Sequence, residues 1–176
     1  MNSIMKKLFY LPLVLLTSLV LNGCNQQKTN DHENIQLIVE FEEAFRNLNY
    51  EKMQSMFTDD YMSYGPSLAD SMGKDDVMLN WKYNMENLYD KVEFHDLKYI
   101  ALKDFDNGVS RDWVSSWGKL AIKYQNRTNA AEIWSNTLYL IEDGKIKKSY
   151  IFYNEADALR QVGFHYVFRE PAKLDE

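Results

Sequence analysis

Few residues of this 176-residue chain have the type and spacing that acid–base chemistry needs. His95 precedes Asp96 within a segment that is predicted to be a strand, and a neighbouring carboxylate can tune an imidazole as a general base. A lone histidine in a strand is equally compatible with a structural role. The other histidines, His32 and His165, stand near the two ends of the domain without clustered acids. We therefore expect no metal site and no cofactor.

The single cysteine, Cys24, closes an N-terminal segment with the features of an export signal. Lys6 and Lys7 precede an apolar run over residues 8–21, which is too short to span a bilayer but suits a signal-peptide core. The sequence Leu21-Asn22-Gly23-Cys24 resembles the lipobox of bacterial lipoproteins. That resemblance implies cleavage after residue 23 and lipid modification of the Cys24 sulfur. The alternative is a buried structural cysteine behind an uncleaved anchor helix.

Lipidation of Cys24 would determine where the protein is located and would exclude thiol chemistry in the mature chain. The mature chain would hold no other thiol for a disulfide, a nucleophile or a metal site. More than one acyl chain would attach it durably to a membrane. We expect a location in the cell envelope, facing away from the cytoplasm. The outer membrane is preferred where one exists, because Asn25 is not the aspartate that commonly retains lipoproteins in the inner membrane.

Composition indicates one acidic globular domain after a short tether. The leader, residues 1–23, holds two of the 20 basic residues and none of the 26 acidic ones. The remainder is therefore more acidic than the whole chain and has no basic stripe, which disfavours nucleic-acid binding. The polar residues 24–31 are predicted to be a flexible tether. The domain is expected over residues 32–168, with a C-terminal tail over residues 169–176.

Three helices are predicted in the first half of the domain. Asn30 or Asp31 can cap the first helix, which then has an apolar stripe opposite a polar face with Glu40, Glu43 and Arg46. The second helix is predicted over residues 50–57 and the third over residues 74–89, with a short strand over residues 61–64 between them. The stripe of the first helix consists of Leu37, Ile38, Phe41, Ala44, Phe45 and Leu48.

From Lys91 onward the hydrophobic period becomes two, which is typical of strands. Segments rich in aromatic and β-branched residues are separated by turn-like sequences, and Asp143-Gly144 favours a two-residue hairpin. A short last helix is predicted over residues 156–163. Helices followed by an antiparallel meander predict an α+β fold, with the helices on one face of a curved sheet. The four long strands are expected over residues 92–102, 113–124, 132–142 and 145–153.

This order of elements resembles the superfamily of nuclear transport factor 2, ketosteroid isomerase and the SnoaL-like polyketide cyclases. The resemblance covers residues 33–165. It is carried by Phe57-Thr-Asp-Asp60 with Tyr64-Gly65-Pro66, and by the stretch from Asp143-Gly144 through Tyr153-Asn154 to Leu159-Arg-Gln-Val-Gly163. It implies a cone: a curved antiparallel sheet wrapped round three N-terminal helices, with an apolar internal cavity that opens at one end.

Strand alternation within such a cone suggests which side chains face the cavity. On the last strand Ile146, Lys148, Tyr150, Phe152 and Asn154 share one face, which the resemblance places toward the cavity. Aromatic residues at these spacings could equally be simple core. The predicted ligand-binding residues are Tyr64, Trp81, Trp117, Trp134, Asn136, Tyr150, Phe152 and Asn154.

Enzymes with this cone use a carboxylate as general base, with its pKa set by the apolar cavity. Where many SnoaL-like members end the last strand with aspartate, this chain has Asn154, which cannot take a proton, followed by Glu155. The remaining candidates for a base are His95, Asp60 and Glu155.

Three functions therefore remain open. The preferred one is a lipid-anchored domain that binds a small apolar or aromatic molecule without converting it. The second is an isomerase, dehydratase or cyclase that acts on a ring-containing substrate. The third is a protein-interaction module that uses the open sheet face, and a homodimer through the sheet is expected with any of them. For the binder we expect Asn154 at the cavity rim, Asp60 and Glu155 solvated, and no buried carboxylate with a raised pKa in the cavity.

Overall fold

The computed structural model describes residues 23–128 and 130–164 of the chain, and the side chains from residue 30 onward. Within these residues, four helices and six strands form an α+β fold, as predicted. They follow one another as α1 (Gly23–Arg46), α2 (Tyr50–Ser55), β1 (Phe57–Tyr64), β2 (Ser71–Gly73), α3 (Lys74–Asn87), β3 (Tyr89–Asp106), β4 (Val109–Tyr124), β5 (Ala130–Glu142), β6 (Lys145–Tyr153) and α4 (Glu155–Gln161).

All strands belong to one sheet in the order β2-β1-β6-β5-β4-β3. Strands β3 to β6 form the expected antiparallel meander. The expectation of a purely antiparallel sheet is wrong, because β1 pairs with β6 in parallel. The chain leaves β1, reaches the far edge of the sheet at β3 and returns by the meander, so β6 arrives beside β1 in the same direction. The sheet is therefore mixed and open.

Helix α1 supplies the apolar surface on which the sheet packs. Ile38, Phe41, Ala44 and Phe45 are buried, as their helical spacing predicts. They form one cluster with side chains from every layer of the fold, among them Ile146 of β6, and Trp81 of α3 packs against it. The expected burial of Phe41, Phe45 and Ile146 is confirmed, and Trp81, which was expected to be buried with them, is half-buried against the cluster.

The N-terminal part of α1 differs from the expected structure. The helix begins at Gly23, so residues 24–31, which were predicted to form a flexible tether, are helical. Neither Asn30 nor Asp31 caps the helix. The segment contains no proline and, after Gly23, no glycine, and its glutamines and lysine are good helix formers, so propagation of the helix is favoured. The boundary of the domain at residue 32 stays a prediction.

A β-bulge in β6 reverses the alternation on which the cavity prediction rested. Leu140 pairs with Lys148 and Ile141 pairs with Ile146, so Lys147 is an extra residue in β6 that stands opposite no residue of β5 in the strand register. One extra residue shifts the side-chain period of two by one position. Ile146 faces the core, and after the bulge it is Ser149, Ile151 and Tyr153 that face the helices.

Helix α4 closes one end of the sheet. Asn154 caps this helix, since its Oδ1 accepts a hydrogen bond from the backbone N–H of Asp157 at 3.0 Å. Ala158 and Val162 pack on Ala131 and Ile133 of β5 in a second, smaller apolar cluster. The side chain of Asn154 is thereby used as a helix cap and does not line the cavity.

Within residues 23–128 and 130–164, no helix is both long and apolar enough to cross a membrane. The predicted signal peptide, residues 1–23, lies outside the described residues except for Gly23, and so does the side chain of Cys24. The predictions made for them stay predictions.

Candidate functional site

A cavity of about 350 Å³ lies between α1, α3 and the inner face of the sheet. Four phenylalanines, four tyrosines and one tryptophan line it, together with aliphatic side chains such as Val77 and Ile151. Space exists here because the sheet contributes small residues at inward positions of four strands. Those residues are Ser63, Ser116, Gly118, Ser135, Thr137 and Ser149.

Gly118 is required for the curvature of the sheet beside the cavity. Strand β3 bulges between His95 and Lys98, where it passes Gly118 of β4. A Cβ atom at Gly118 would lie 2.7 Å from the carbonyl oxygen of His95 and 3.0 Å from a methyl group of Leu97. Only glycine therefore lets the bulged strand approach β4 this closely.

The polar centre of the cavity is Glu42 on α1, a residue that sequence reasoning did not single out. Its side chain is 4% exposed and lines the cavity between Phe41 and Phe45 along the helix. Tyr99 donates a hydrogen bond to its Oε2 at 2.6 Å, and Ser116 donates one to its Oε1 at 2.6 Å. Burial raises the pKa of Glu42 above the ordinary 4.5, and the two hydroxyl donors and Arg46 oppose that rise.

The expectation that the cavity holds no buried carboxylate with a raised pKa is therefore wrong. A signal was present in the sequence, since Glu42 follows Ile38 by four residues and precedes Phe45 by three. An acid at that spacing lies within the apolar stripe of the helix, where a carboxylate is expensive to ionise.

A second polar group lies deeper along the sheet. The hydroxyls of Tyr61 and Ser149 share a hydrogen bond of 2.7 Å, and Ser149 donates to the Oγ of Ser63 at 3.2 Å. All three residues are buried and line the cavity. Burial raises the pKa of Tyr61 and holds that of Tyr139 well above its usual range, so both phenols stay neutral at physiological pH.

Charged groups at the cavity share one sign. Asp70 and Glu155 are exposed and line its open side, whereas Glu42 is buried. Among the described residues, none that lines the cavity is a lysine, an arginine or a histidine.

The structure separates the eight predicted ligand-binding residues into three groups. Trp81 lines the cavity, as predicted. Tyr64 and Tyr150 stack on each other at 5.0 Å between ring centroids and do not line it. The remaining five lie together on the opposite face of the sheet, in a shallow depression formed by Trp117, Trp134, Asn136, Phe152 and Asn154.

The physical reason for this error is strand parity. On β6 the bulge at Lys147 turns Tyr150 and Phe152 outward. On β4 the inward positions belong to Ser116 and Gly118, which leaves Trp117 outside. Sequence alternation shows which residues share a face of a regular strand, but it reveals neither a bulge nor which face is inside.

We call the exposed side chains of Trp117, Trp134 and Phe152 the outer aromatic patch. Their exposed fractions are 39%, 67% and 51%. Asn136 pairs with Trp117 on one side and with Phe152 on the other, so the patch crosses three adjacent strands. Such a contiguous apolar surface is the kind that proteins use for association.

None of the predicted bases lies buried in the cavity. His95 is exposed on β3 and does not line the cavity. Asp60 is exposed and pairs with Lys147 at 3.5 Å, and its pKa is lowered by the neighbouring Thr58 side chain and by that lysine. Glu155 is exposed at the cavity opening, so the expectation that Asp60 and Glu155 are solvated is confirmed. In the described part of the chain no group of three or more metal-binding side chains comes together.

No protein-family profile matches the chain, and no curated protein does. Solved structures of similar fold do. A candidate polyketide cyclase from Xanthomonas campestris pv. campestris is 15% identical with a TM-score of 0.61, and the match covers 76% of this chain and 99% of that one. An epoxide hydrolase from M. tuberculosis, described as LEH-like, is 14% identical with a TM-score of 0.56, over 76% and 91% of the two chains.

A third structure is a hypothetical protein from Catenulispora acidiphila with a ketosteroid isomerase-like fold, in complex with trimethylamine. It is 13% identical with a TM-score of 0.58, over 73% of this chain and 93% of that one. The chain thus has the cone fold that SnoaL-like polyketide cyclases share with nuclear transport factor 2-like proteins.

Proposed function

We propose that this cone-fold domain binds a small, largely apolar molecule in its internal cavity, with Glu42 as the main polar contact. The observation that carries the proposal is a buried carboxylate that lines a cavity of about 350 Å³ with mostly aromatic walls. Ligand sites are commonly concave and apolar, with a few polar groups that fix the orientation of the ligand.

Stability alone does not account for this arrangement. An empty apolar cavity forfeits packing contacts, and a buried carboxylate costs several kcal/mol unless it is compensated. A leucine at position 42 and larger side chains in place of Ser116 and Ser135 would remove both costs. One solved structure of similar fold is a complex with a small organic molecule, trimethylamine. A bound ligand would fill the cavity and contact the carboxylate, and would therefore account for both features.

A thermal-shift screen of small apolar and aromatic molecules tests the proposal on the purified full-length chain. Thr137→Phe should fill the cavity, because Thr137 lines it, while Thr128→Phe places the same side chain in an exposed turn. We expect ligands that raise the melting temperature of the wild type and of Thr128→Phe but leave Thr137→Phe unchanged. Ligands that stabilise both variants equally would place the binding site elsewhere, and a screen without any stabilising molecule would count against the proposal.

A second candidate function is proton-transfer catalysis, as an isomerase, dehydratase or cyclase. The observation that favours it is again Glu42, whose raised pKa and two fixed hydroxyl donors suit a general base. Its carboxylate would accept a proton from a C–H or O–H group of the substrate, while Tyr99 and Ser116 hold its two oxygens in place. Glu42→Gln should then bind ligand but fail to exchange the acidic proton of that ligand with deuterated water. Unchanged exchange in Glu42→Gln would exclude this role.

The outer aromatic patch supports a proposal about assembly. A patch that spans three strands of an open sheet can pack on its own copy about a two-fold axis, which buries the three aromatic side chains of both subunits. We propose a homodimer through this face. A different protein partner on the same face, which was the third function considered, would leave the purified chain monomeric.

The N-terminal sequence supports a proposal about location. The basic residues Lys6 and Lys7, the apolar run over residues 8–21 and the lipobox-like Leu21-Asn22-Gly23-Cys24 are together typical of exported lipoproteins. We propose that the domain is held at a membrane of the cell envelope through lipid on Cys24, facing away from the cytoplasm.

A further inference from the structure

We infer that the ligand of the cone cavity is an organic cation, such as a quaternary or protonated amine, which would lie among the aromatic rings with its charge near Glu42. The inference rests on the proposed small-molecule function and adds the chemical class of the ligand. It depends on three independent features of the cavity.

The first feature is the sign of the charges. Glu42 is buried at the wall, and Asp70 and Glu155 stand at the open side. In the described part of the chain, no cationic side chain lines the cavity, and the whole chain has a net charge of −6. A cation is therefore attracted both on approach and after entry, whereas an anion such as a carboxylate or phosphate meets only repulsion.

The second feature is the arrangement of the aromatic walls. Phe41 meets Phe57 at an interplanar angle of 52° and Tyr139 at 69°, and Phe45 meets Trp81 at 78°, whereas Phe57 and Tyr61 stack on each other at 13°. In an inclined pair, one ring keeps both of its faces uncovered by its partner, which the two stacked rings do not. Because the face of each ring is the negative pole of its quadrupole, inclined rings around a cavity can attract a cation from several sides.

The third feature is incomplete compensation of the Glu42 charge. The groups that stabilise the charged form of Glu42 are two hydroxyls, of Tyr99 on β3 and Ser116 on β4, and the exposed guanidinium of Arg46 on the same helix. Tyr139 of β5 adds a neutral phenol. Two neutral donors repay only part of the desolvation cost of a carboxylate. A neutral apolar ligand would remove the remaining water and raise that cost further, whereas a cation would supply the missing counter-charge.

Matched ligand pairs can isolate the contribution of the charge. The probes are quaternary ammonium ions of increasing size, from choline to benzyltrimethylammonium, each compared with the neutral analogue in which carbon replaces nitrogen. Choline, for example, is paired with 3,3-dimethylbutan-1-ol. Binding to the full-length chain is measured by isothermal titration calorimetry. For at least one pair we expect the cation to bind roughly tenfold more tightly or better.

Two variants show whether Glu42 is the source of that preference. Glu42→Gln keeps the shape of the side chain and removes its charge, and we expect it to abolish the preference for the cation. Glu43→Gln makes the same change at the next residue of α1, which is exposed, and should behave as the wild type. Equal binding within every pair, or a preference that survives in Glu42→Gln, would overturn the inference and leave the small-molecule site standing. If no member of the series binds, while the screen does find neutral ligands that Thr137→Phe excludes, the inference is overturned as well.

The pH dependence gives an independent readout, because the probes carry a permanent charge. Ionised Glu42 attracts a cation more strongly than its protonated form does. The affinity of the wild type relative to Glu42→Gln should therefore rise with pH through the pKa of Glu42 and then become constant, whereas Asp70 and Glu155 act alike in both proteins. Tyr99 and Tyr139 stay neutral in this range, since their own pKa values are raised. A flat profile in the wild type that matches that of Glu42→Gln would contradict the assignment.

Discussion

At the scale of single residues, the site depends on Glu42, which occupies a position that packing alone would give to an apolar side chain. Its carboxylate is held by Tyr99 and Ser116 from two different strands. The two hydrogen bonds fix the position of the carboxylate. Because the carboxylate is buried, its pKa depends on the charge and polarity of any group that enters the cavity. A carboxylate in this environment affects the stability of the fold as well as its function.

Glu42→Gln should change how stability depends on pH. The pKa of Glu42 in the folded chain lies above 4.5, so the folded chain retains a proton at pH values where the unfolded chain has lost it. The free energy of unfolding of the wild type therefore falls as pH rises from about 4.5 through the folded-state pKa, and is constant above it. The free energy of unfolding of Glu42→Gln does not fall in this way, because glutamine does not ionise. A separation of one pH unit between the two pKa values corresponds to about 1.4 kcal/mol.

Urea unfolding over a series of pH values measures this effect. The difference in unfolding free energy between Glu42→Gln and the wild type should shift in favour of the variant across that range. Glu43→Gln should follow the wild type throughout. A difference that does not change with pH would mean that the carboxylate is not desolvated in the folded chain.

At the scale of elements, α1 and the two bulged strands decide the position of every cavity residue. Helix α1 presents Phe41 and Phe45 with Glu42 between them along the chain, because residues three and four apart share a helical face. The bulge at Lys147 turns Ser149 and Ile151 inward, and the bulge of β3 passes over Gly118. These irregularities are the features that open a cavity where a regular sheet would place larger side chains.

Truncation of Phe45 should show how strongly α1 is packed on the sheet. Phe45 is 5% exposed and meets Trp81 at 4.5 Å and Phe94 at 5.8 Å between ring centroids. We expect Phe45→Ala to lower the free energy of unfolding by about 3–5 kcal/mol, as measured by urea unfolding. Leu48→Ala, two residues after the end of the same helix, where the side chain is 42% exposed, should cost less than about 1 kcal/mol. A loss for Phe45→Ala as small as that of the control would show that the helix face is assigned wrongly.

At the scale of the whole molecule, each of the two faces of the sheet carries a distinct feature. The inner face forms the cavity, and the outer face carries the aromatic patch. Sequence alternation requires this division, because successive side chains of a strand point to opposite sides.

Removal of one aromatic side chain from the outer patch should weaken the dimer. Trp134→Ser deletes a side chain that is 67% exposed, and Leu79→Ser on α3 provides a control with an exposed fraction of 67% in the isolated chain. We expect sedimentation equilibrium to show a dissociation constant raised at least about tenfold for Trp134→Ser, and an unchanged one for Leu79→Ser. A wild type that is monomeric, or a pair of variants with equal effects, would argue against a dimer through this face.

Cys24→Ser should release the protein from membranes, because no other residue of the chain can carry a thioether-linked lipid. Cell fractionation followed by determination of the N-terminus measures both location and processing. Thr29→Ser, a change a few residues further along, should leave the protein lipidated and membrane-bound. Continued membrane association of Cys24→Ser with an unprocessed N-terminus would indicate an anchor helix instead of a lipoprotein.

The elements themselves could be predicted from the sequence with good accuracy. The helical stripe from Leu37 to Phe45, the change of period after Lys91 and the Asp143-Gly144 turn are local signals, and each corresponds to an observed element. Three elements depart most from their predictions. Strand β1 spans Phe57–Tyr64, where only residues 61–64 were predicted. Strand β2 has only three residues, too few for a periodic signal, and α1 extends back to Gly23 through residues without a helix-breaking signal.

Only the tertiary structure decided which residues form the site. Alternation in the sequence indicated which side chains of one regular strand share a face, whereas Trp117, Asn136 and Phe152 lie together because β4, β5 and β6 pair in this register. The sequence could not determine that their face is the outer one, because a single extra residue, Lys147, reverses the parity of β6 and is visible only in the pairing with β5. Nor could it assign Glu42 to the cavity, since the burial and the donors that define this carboxylate come from strands more than fifty residues away along the chain. Local periodicity is a property of neighbouring residues, whereas a site is produced by long-range packing.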